Sequence, residues 1–218
     1  MESCTLCEEK AASHFHSTDS YDYLHCQNCD LIFVKPGQRL DSDEEKKRYD
    51  YHENDPDDVH YREFLNQLFL PLSKKLKQPG VGLDFGSGPG PALNVMFEEA
   101  GHKMKIYDPF YADDPGVFNQ QYDFITSTET AEHLFYPRKE FEKMWACLKP
   151  GGFLGIMTKM VQNISQFPGW HYMRDDTHVT FYSKKTFNWL AAHWKASVNF
   201  DGTRVIIFEK SLASSSDD

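Results

Sequence analysis

The stretch Asp84-Phe-Gly-Ser-Gly-Pro-Gly-Pro91 follows a short apolar run and places three glycines at alternate positions. Glycine tolerates left-handed backbone angles, so the stretch predicts a tight turn that a ligand can approach closely. A dinucleotide-binding turn has the pattern G-x-G-x-x-G, but Pro91 occupies the position of the third glycine. The lysine of a phosphate-binding P-loop is also missing. This glycine turn (residues 84–91) therefore argues against a dinucleotide or a triphosphate as its ligand.

Strands and helices alternate along the chain after residue 80. Apolar runs predict strands at 81–85, 103–107, 122–127 and 153–157. Helical spacing or helix-end signals predict helices at 57–77, 91–100, 137–148 and 186–193. Strands at 197–200 and 204–209, joined by Asp201-Gly-Thr, predict a C-terminal antiparallel hairpin. The order predicts an α/β fold with a doubly wound, mostly parallel sheet, whose ligands bind at the carboxyl ends of the strands.

Four of the five cysteines form two Cys-x-x-Cys pairs near the N-terminus, namely Cys4, Cys7, Cys26 and Cys29. Two such pairs at this separation are typical of a structural zinc site, in which four thiolates leave no open coordination position. The predicted division of the chain is a zinc ribbon at 1–35, a polar and acidic linker at 36–56, the α/β domain at 57–210 and a disordered tail at 211–218.

The net charge of -10 argues against tight, sequence-independent binding to nucleic acid, which requires many cationic side chains. No run approaches the roughly 20 apolar residues of a membrane span. The N-terminal Met-Glu-Ser-Cys lacks the basic start and apolar block of a signal peptide. We therefore expect a cytoplasmic protein with no membrane partner; the sequence specifies no oligomeric state.

The glycine turn and three later segments, in this order, resemble the class I S-adenosylmethionine (SAM)-dependent methyltransferase family. The segments are Tyr-Asp-Phe-Ile-Thr-Ser at 122–127, Glu-Thr-Ala-Glu-His-Leu-Phe-Tyr-Pro at 129–137 and Leu-Lys-Pro-Gly-Gly-Phe-Leu at 148–154. The resemblance covers residues 60–210 and implies a Rossmann-like methyltransferase fold. The four-cysteine segment is similar to one found in bacterial methyltransferases of the sugar C-methyltransferase type.

The resemblance implies a set of cofactor-binding residues. Along the methionine side of SAM these are Asp84, Gly86, Ser87, Gly88 and Gly90, with Asp108 at the ribose and Ser127, Thr128 and Glu129 bordering the transferred methyl group. One departure concerns adenine. Only 15 positions separate Asp108 from Asp123, whereas the family fits a helix and a third strand there. We therefore expect a sheet that is one strand short at this edge, with Asp113 or Asp114 as candidate adenine contacts.

Glu129, Glu132 and His133 stand at i, i+3 and i+4, so a helical turn would place all three on one face. Such a set suits a divalent cation such as Mg²⁺ or Mn²⁺. The pattern resembles small-RNA 2′-O-methyltransferases and ubiquinone-pathway O-methyltransferases, in which a Glu-x-x-Glu-His set binds such an ion. The small-RNA enzymes add a later histidine as a ligand, and this resemblance implies His178 as the candidate here. The alternative interpretation is a helix start without metal, since acidic side chains favour a helix N-terminus.

The segment from Trp170 to His178 is aromatic, charged and loop-like. Loops beyond the carboxyl ends of the strands contact substrates in this architecture, which makes Tyr172, Arg174 and Asp175 candidate substrate residues. The candidate catalytic residues are Glu129, His133, His171 and His178, with either of the last two as a possible general base.

The sequence therefore predicts a SAM-dependent methyltransferase that acts on a small molecule, with oxygen favoured over carbon as the acceptor atom. Two alternatives stay open. One is an RNA-modifying enzyme that uses the zinc ribbon for recognition, and the other is a cofactor-binding protein without catalysis.

Overall fold

The computed structural model describes residues 1–51 and 55–212, and two sheets organise them. The strands of the described residues are β1 (Ala12–Ser17), β2 (Asp22–Cys26), β3 (Ile32–Val34), β4 (Val81–Phe85), β5 (Lys103–Tyr107), β6 (Tyr122–Thr128), β7 (Leu148–Met157), β8 (Thr180–Phe181), β9 (Ser197–Asp201) and β10 (Val205–Glu209). The helices are α1 (Ser42–Tyr49), α2 (Val59–Ser73), α3 (Ala92–Glu99), α4 (Pro137–Ala146) and α5 (Lys184–Trp194). Short 3₁₀ turns at 115–119, 131–133, 164–169 and 171–174 connect them.

The central sheet has six strands in the spatial order β5-β4-β6-β7-β10-β9. Its first four strands are parallel, whereas β10 runs antiparallel to β7 and β9 runs antiparallel to β10. This topology confirms the predicted doubly wound sheet with a C-terminal hairpin. The expected missing strand is also confirmed, because β5 forms one edge and is followed by the 3₁₀ turn at 115–119 within the described residues.

Helices cover both faces of the central sheet, as the alternating order requires. On one face the helices α2 and α3 bury apolar side chains such as Leu68 and Phe97 against β6, β7 and β10. On the other face α4 and α5 bury Phe141 and Phe187 in a second core. The carboxyl ends of the parallel strands stay open between these layers and position the site described below.

The second sheet joins the N-terminal segment to the α/β part of the chain. Its order is β1-β2-β3-β8, so a strand from residues 180–181 completes the sheet of the cysteine segment. The Val34 N–H donates to the Val179 carbonyl at 2.8 Å, and Tyr23 packs in one apolar cluster with Phe167 and Phe181. The segment 1–35 therefore lies directly against the loop that carries the candidate substrate residues.

Part of the predicted linker, residues 36–56, is helical, because α1 spans Ser42–Tyr49. The Asp41 and Glu44 side chains form a reciprocal capping box at its start. Acidic residues fill the first turn and basic residues the last, which complements the helix dipole. Residues 52–54 of that linker and residues 213–218 of the predicted tail lie outside the described residues. No described helix has both the length and the apolar character needed to cross a membrane.

Candidate cofactor and acceptor site

A cleft of about 690 Å³ opens at the carboxyl ends of β4, β5 and β6. Its walls contain most of the residues that the sequence assigned to the cofactor, namely Asp84, Gly86, Ser87, Gly88, Asp108 and Thr128. Gly90 and Ser127 are not among the residues that line it. Side chains alternate between the two faces of a strand, so Ser127 points away from the direction taken by its neighbour Thr128 and is fully buried.

The glycine turn needs glycine at Gly86 for two reasons. Its φ angle of +75° lies in the left-handed region, and a β-carbon there would lie 2.3 Å from the Thr130 side chain. Thr130 Oγ1 donates to the carbonyls of Gly86 at 3.2 Å and Thr128 at 3.0 Å, which fixes the turn against the end of β6. The turn is therefore held close to the place where β6 ends.

Two carboxylates lie at the glycine turn, one at its start and one at the end of β5. Asp84 is buried and accepts a hydrogen bond from Thr126 Oγ1 at 2.7 Å, and burial raises the pKa of Asp84 to about 6. Asp108 accepts from the backbone N–H groups of Gly88, Phe110 and Tyr111 at 2.9, 2.9 and 3.2 Å. Asp108 therefore ties the glycine turn to the loop that follows β5.

The residues of this half of the cleft fit a nucleoside cofactor such as SAM. Ser87 Oγ lies in the wall, is buried and has no hydrogen-bond partner among the described residues. Buried polar atoms are nearly always paired, so this hydroxyl is available to a ligand. Asp84, Gly86, Ser87 and Gly88 would hold the methionine part, and Asp108 would face the ribose. Neither Asp113 nor Asp114 lines this cleft.

The acceptor half of the cleft contains Glu132, His133 and His178, called the Glu132 cluster below. One ligand atom from each of these side chains lies within 4.8 Å of the others. The His133 Nδ1 lies 3.0 Å from the Thr177 carbonyl and the His178 Nδ1 lies 2.6 Å from the Tyr172 carbonyl. A carbonyl oxygen only accepts, so each Nδ1 carries a proton, which leaves the Nε2 of each ring as the nitrogen that can bind a cation; the His178 Nε2 lies 3.9 Å from Asp175 Oδ2. Burial lowers the pKa of His133 to about 4, which keeps its ring neutral at pH 7.

Glu129 lies outside this cluster, so the predicted face of Glu129, Glu132 and His133 does not form. The backbone of Glu129 is left-handed, with φ +46°, and residues 131–133 make a single 3₁₀ turn instead of an α-helical one. The Glu129 carboxylate accepts from Arg204 at 3.3 Å. Burial, with the nearby Glu132 charge as the second cause, raises the pKa of Glu129 to about 8.

Glu132 is 1% exposed, and its two carboxylate oxygens differ in their hydrogen bonding. Oε1 accepts a hydrogen bond from the Tyr172 hydroxyl, whereas Oε2 has no partner among the described residues. Tyr172 is thus a buried support for Glu132, and it does not line the cleft as expected for a substrate residue. An unpartnered, buried carboxylate oxygen next to two free imidazole nitrogens is a suitable arrangement for a cation.

Of the other residues predicted in the 170–178 loop, two line the cleft and two point into solvent. Asp175 and His178 line the cleft, but His171 and Arg174 are exposed and do not. The His171 Nε2 accepts from the Lys159 ammonium at 3.0 Å instead. The four-residue 3₁₀ turn at 171–174 buries Tyr172 and Met173 and leaves the flanking His171 and Arg174 exposed.

Several cleft residues were not predicted from the sequence. They are Glu45 and Tyr49 from α1, Tyr61 and Phe64 from α2, Phe110 after β5, and Thr130 after β6. The capping-box pattern at the start of α1 is a sequence signal that could have predicted this helix, which carries Glu45 and Tyr49. For the aromatic residues, helical spacing predicts burial but does not separate a core position from a cleft wall.

The four cysteines converge as the sequence predicted. Cys4 Sγ lies 3.5 Å from Cys29 Sγ, Cys7 Sγ lies 3.5 Å from Cys26 Sγ, and all four sulfurs lie within 4.8 Å of one another. Tetrahedral zinc with Zn–S bonds of about 2.3 Å places its sulfurs about 3.8 Å apart. The four thiols are buried and free of disulfides, so their geometry fits a structural zinc ion.

The strand order, the glycine turn and the cleft define a Rossmann-like methyltransferase fold. Residues 58–194, more than half of the chain, match the family described as methyltransferase domain. The chain therefore belongs to this family and is a SAM-dependent methyltransferase. No curated protein sequence matches it.

Solved structures share the fold at low sequence identity. The PH0226 protein from Pyrococcus horikoshii OT3 is 14% identical with a TM-score of 0.53, over 76% of this chain and 99% of that chain. The magnesium protoporphyrin IX methyltransferase (ChlM) from Synechocystis PCC 6803 was solved with bound S-adenosylhomocysteine (SAH). It is 10% identical with a TM-score of 0.52, over 77% of this chain and 94% of that chain. Identities this low establish the common fold and leave the acceptor to be inferred from the site.

Proposed function

We propose that this enzyme transfers the methyl group of SAM to a hydroxyl oxygen of a small-molecule acceptor, with the Glu132 cluster holding a divalent cation. The observation that carries the proposal is the convergence of Glu132, His133 and His178 within 4.8 Å, with Glu132 Oε2 buried and unpartnered among the described residues. A cation would satisfy that oxygen and the two free imidazole nitrogens together.

The cofactor half supports SAM as the methyl donor. The structurally similar ChlM protein carries bound SAH, the product of SAM after methyl transfer. In this chain, the glycine turn and Asp108 lie at the carboxyl edge of the parallel strands, where ligands bind in this architecture. The Ser87 hydroxyl and the glycine backbone would contact the methionine part.

The protein groups would prepare the acceptor hydroxyl as follows. The Thr177 and Tyr172 carbonyls fix both histidines with Nε2 free, and the Tyr172 hydroxyl orients the Glu132 carboxylate. One carboxylate with two imidazoles suits Mn²⁺ better than the all-oxygen preference of Mg²⁺. When bound, such a cation lowers the pKa of a coordinated hydroxyl. In the transfer, the acceptor oxygen would attack the methyl carbon of SAM in line as the carbon–sulfur bond breaks, releasing SAH, and the hydroxyl proton would pass to water.

We also propose that a structural zinc ion binds the four cysteines. A segment of about 35 residues buries too little apolar surface to fold alone, so metal binding would supply folding free energy. Four thiolates saturate the ion, which gives it no open position for catalysis. A cytoplasmic location remains a prediction that agrees with reduced cysteines.

Binding of Mn²⁺ tests the metal proposal without knowledge of the acceptor. Electron paramagnetic resonance of free Mn²⁺ should show one bound ion per wild-type chain. The Glu132→Gln variant keeps the side-chain shape and the partner of Tyr172 but should lose the ion. The matched control is Glu140→Gln, since Glu140 lines the same cleft but pairs with Lys143.

Equal Mn²⁺ binding by the wild type and Glu132→Gln would contradict the assignment, as would no binding by the wild type. Where binding is found, transfer of a radiolabelled methyl group from SAM should be screened over phenols and sugar hydroxyls against carbon acceptors. A preference for carbon acceptors would overturn the choice of oxygen.

A further inference from the structure

Helix α1 is attached to the cofactor side of the cleft, although it lies outside the residues that match the methyltransferase family. The Tyr49 ring lies 5.7 Å from the Phe110 ring, measured between centroids. The Tyr111 hydroxyl donates to Asp50 Oδ1 at 2.7 Å, just after the helix. These contacts join α1 to the loop that follows β5 and Asp108. The helix therefore packs against the loop that follows the edge strand β5.

Glu45 is the carboxylate that α1 turns into this cleft. It lines the same wall as Asp108 and is half-buried, while its neighbour Glu44 is exposed. Its Oε1 accepts from the Tyr49 hydroxyl at 2.7 Å, and no described lysine, arginine or histidine forms an ion pair with it. Burial raises the pKa of Glu45, and the negative charge of Asp108 raises it further. Two carboxylates thus share one wall without a cation between them.

Asp108 alone has little remaining capacity for a nucleoside. A carboxylate offers about four acceptor positions, and three backbone N–H groups already use Asp108. A ribose presents two hydroxyl donors and adenine presents an amino group. The buried Ser87 hydroxyl, which lines the same cleft beside Gly88, also lacks a partner among the described residues, which independently indicates that the cleft takes a polar ligand.

We propose that Glu45 binds hydrogen-bond donors of the nucleoside half of SAM together with Asp108, so that α1 completes a cofactor site that the shortened sheet leaves open. The ligand class is a nucleoside with a free vicinal diol and an exocyclic amine. This inference rests on the proposed function because it takes SAM as the ligand of the cleft.

Calorimetric titration with SAH and with 5′-methylthioadenosine, which lacks the amino-acid part, tests the role of Glu45. Glu45→Gln keeps one acceptor oxygen but turns a charge-assisted hydrogen bond into a neutral one, so we expect both ligands to bind about tenfold more weakly. The control is Asp43→Asn, which makes the same chemical change on an exposed position of the same helix and should bind as the wild type does.

Hydrogen exchange provides a second readout that needs no substitution. SAH should slow amide exchange in residues 42–50 of the wild type, because the ligand would hold α1 in place. Wild-type affinity of Glu45→Gln for both ligands, or unchanged exchange in α1, would overturn the inference while SAM binding itself stands. A wild type that binds neither ligand would instead refute the cofactor assignment and this inference with it.

Discussion

Replacement of Gly86 by alanine is the sharpest test of how the glycine turn forms the cofactor site. The new methyl group would lie 2.3 Å from both Thr130 Cγ2 and Thr130 Oγ1. Thr130 cannot simply rotate away, because its hydroxyl donates to the carbonyls of Gly86 and Thr128. The turn and the end of β6 must therefore separate to accommodate one methyl group.

The size of the effect follows from two contributions. A left-handed backbone costs alanine about 1–2 kcal/mol relative to glycine. Restoring ordinary contact at 3.4 Å from 2.3 Å requires a shift of 1.1 Å between the turn and Thr130. Overpacking of this kind adds about 1–3 kcal/mol. We expect Gly86→Ala to lower the free energy of unfolding by about 2–5 kcal/mol and to weaken SAH binding by about tenfold or more.

Gly101→Ala is the matched control for this experiment. Gly101 also has a left-handed φ angle, +91°, but a β-carbon there meets no atom within 4 Å and the residue does not line the cleft. Urea unfolding should show only the backbone cost of about 1–2 kcal/mol, and SAH affinity should stay at the wild-type value. Wild-type SAH affinity in a folded Gly86→Ala protein would refute the assignment of the turn to the cofactor.

Two further predictions concern the zinc site and a buried carboxylate. Elemental analysis should find one zinc per wild-type chain, retained in Cys147→Ser and lost in Cys26→Ser; zinc retained by Cys26→Ser would contradict the four-cysteine site. Asp84 has a folded-state pKa of about 6, above its unfolded value of 3.8, so it is protonated only in the folded state between these values. The contribution of Asp84 to the free energy of unfolding should therefore fall by about 2–3 kcal/mol as the pH rises through this window. Urea unfolding at pH 4 and pH 7 should show this decline in the wild type and its absence in Asp84→Asn.

The sequence predicted β4 and β6 closely because these strands are buried and mostly apolar, whereas the edge strand β5 alternates lysines with apolar residues. The predicted bounds of β4 and β5 are the observed ones, and β6 extends the prediction by one residue. Buried parallel strands have this signal because both faces are covered by helices. The short segment between Asp108 and Asp123 likewise predicted the missing strand, since it leaves too few residues for a helix and a strand.

The parts that the sequence did not predict depend on long-range contacts or on weak local signals. Helix α1 buries no residue completely, so it lacks apolar periodicity, and Glu45 was missed with it. The pairing of β8 with β3 joins residues about 150 positions apart and has no sequence pattern of its own. Tyr172 was assigned to the substrate because an aromatic loop residue has the same composition signal whether it supports Glu132 or contacts a ligand.

Calorimetric titration of the wild-type protein with SAH tests the central claim most directly. We expect one binding site per chain with micromolar or tighter affinity, and competition by SAM for the same site. Absence of binding by the folded, zinc-containing protein would contradict the account, because the glycine turn, Asp108 and Ser87 would then surround a cleft that does not take the cofactor.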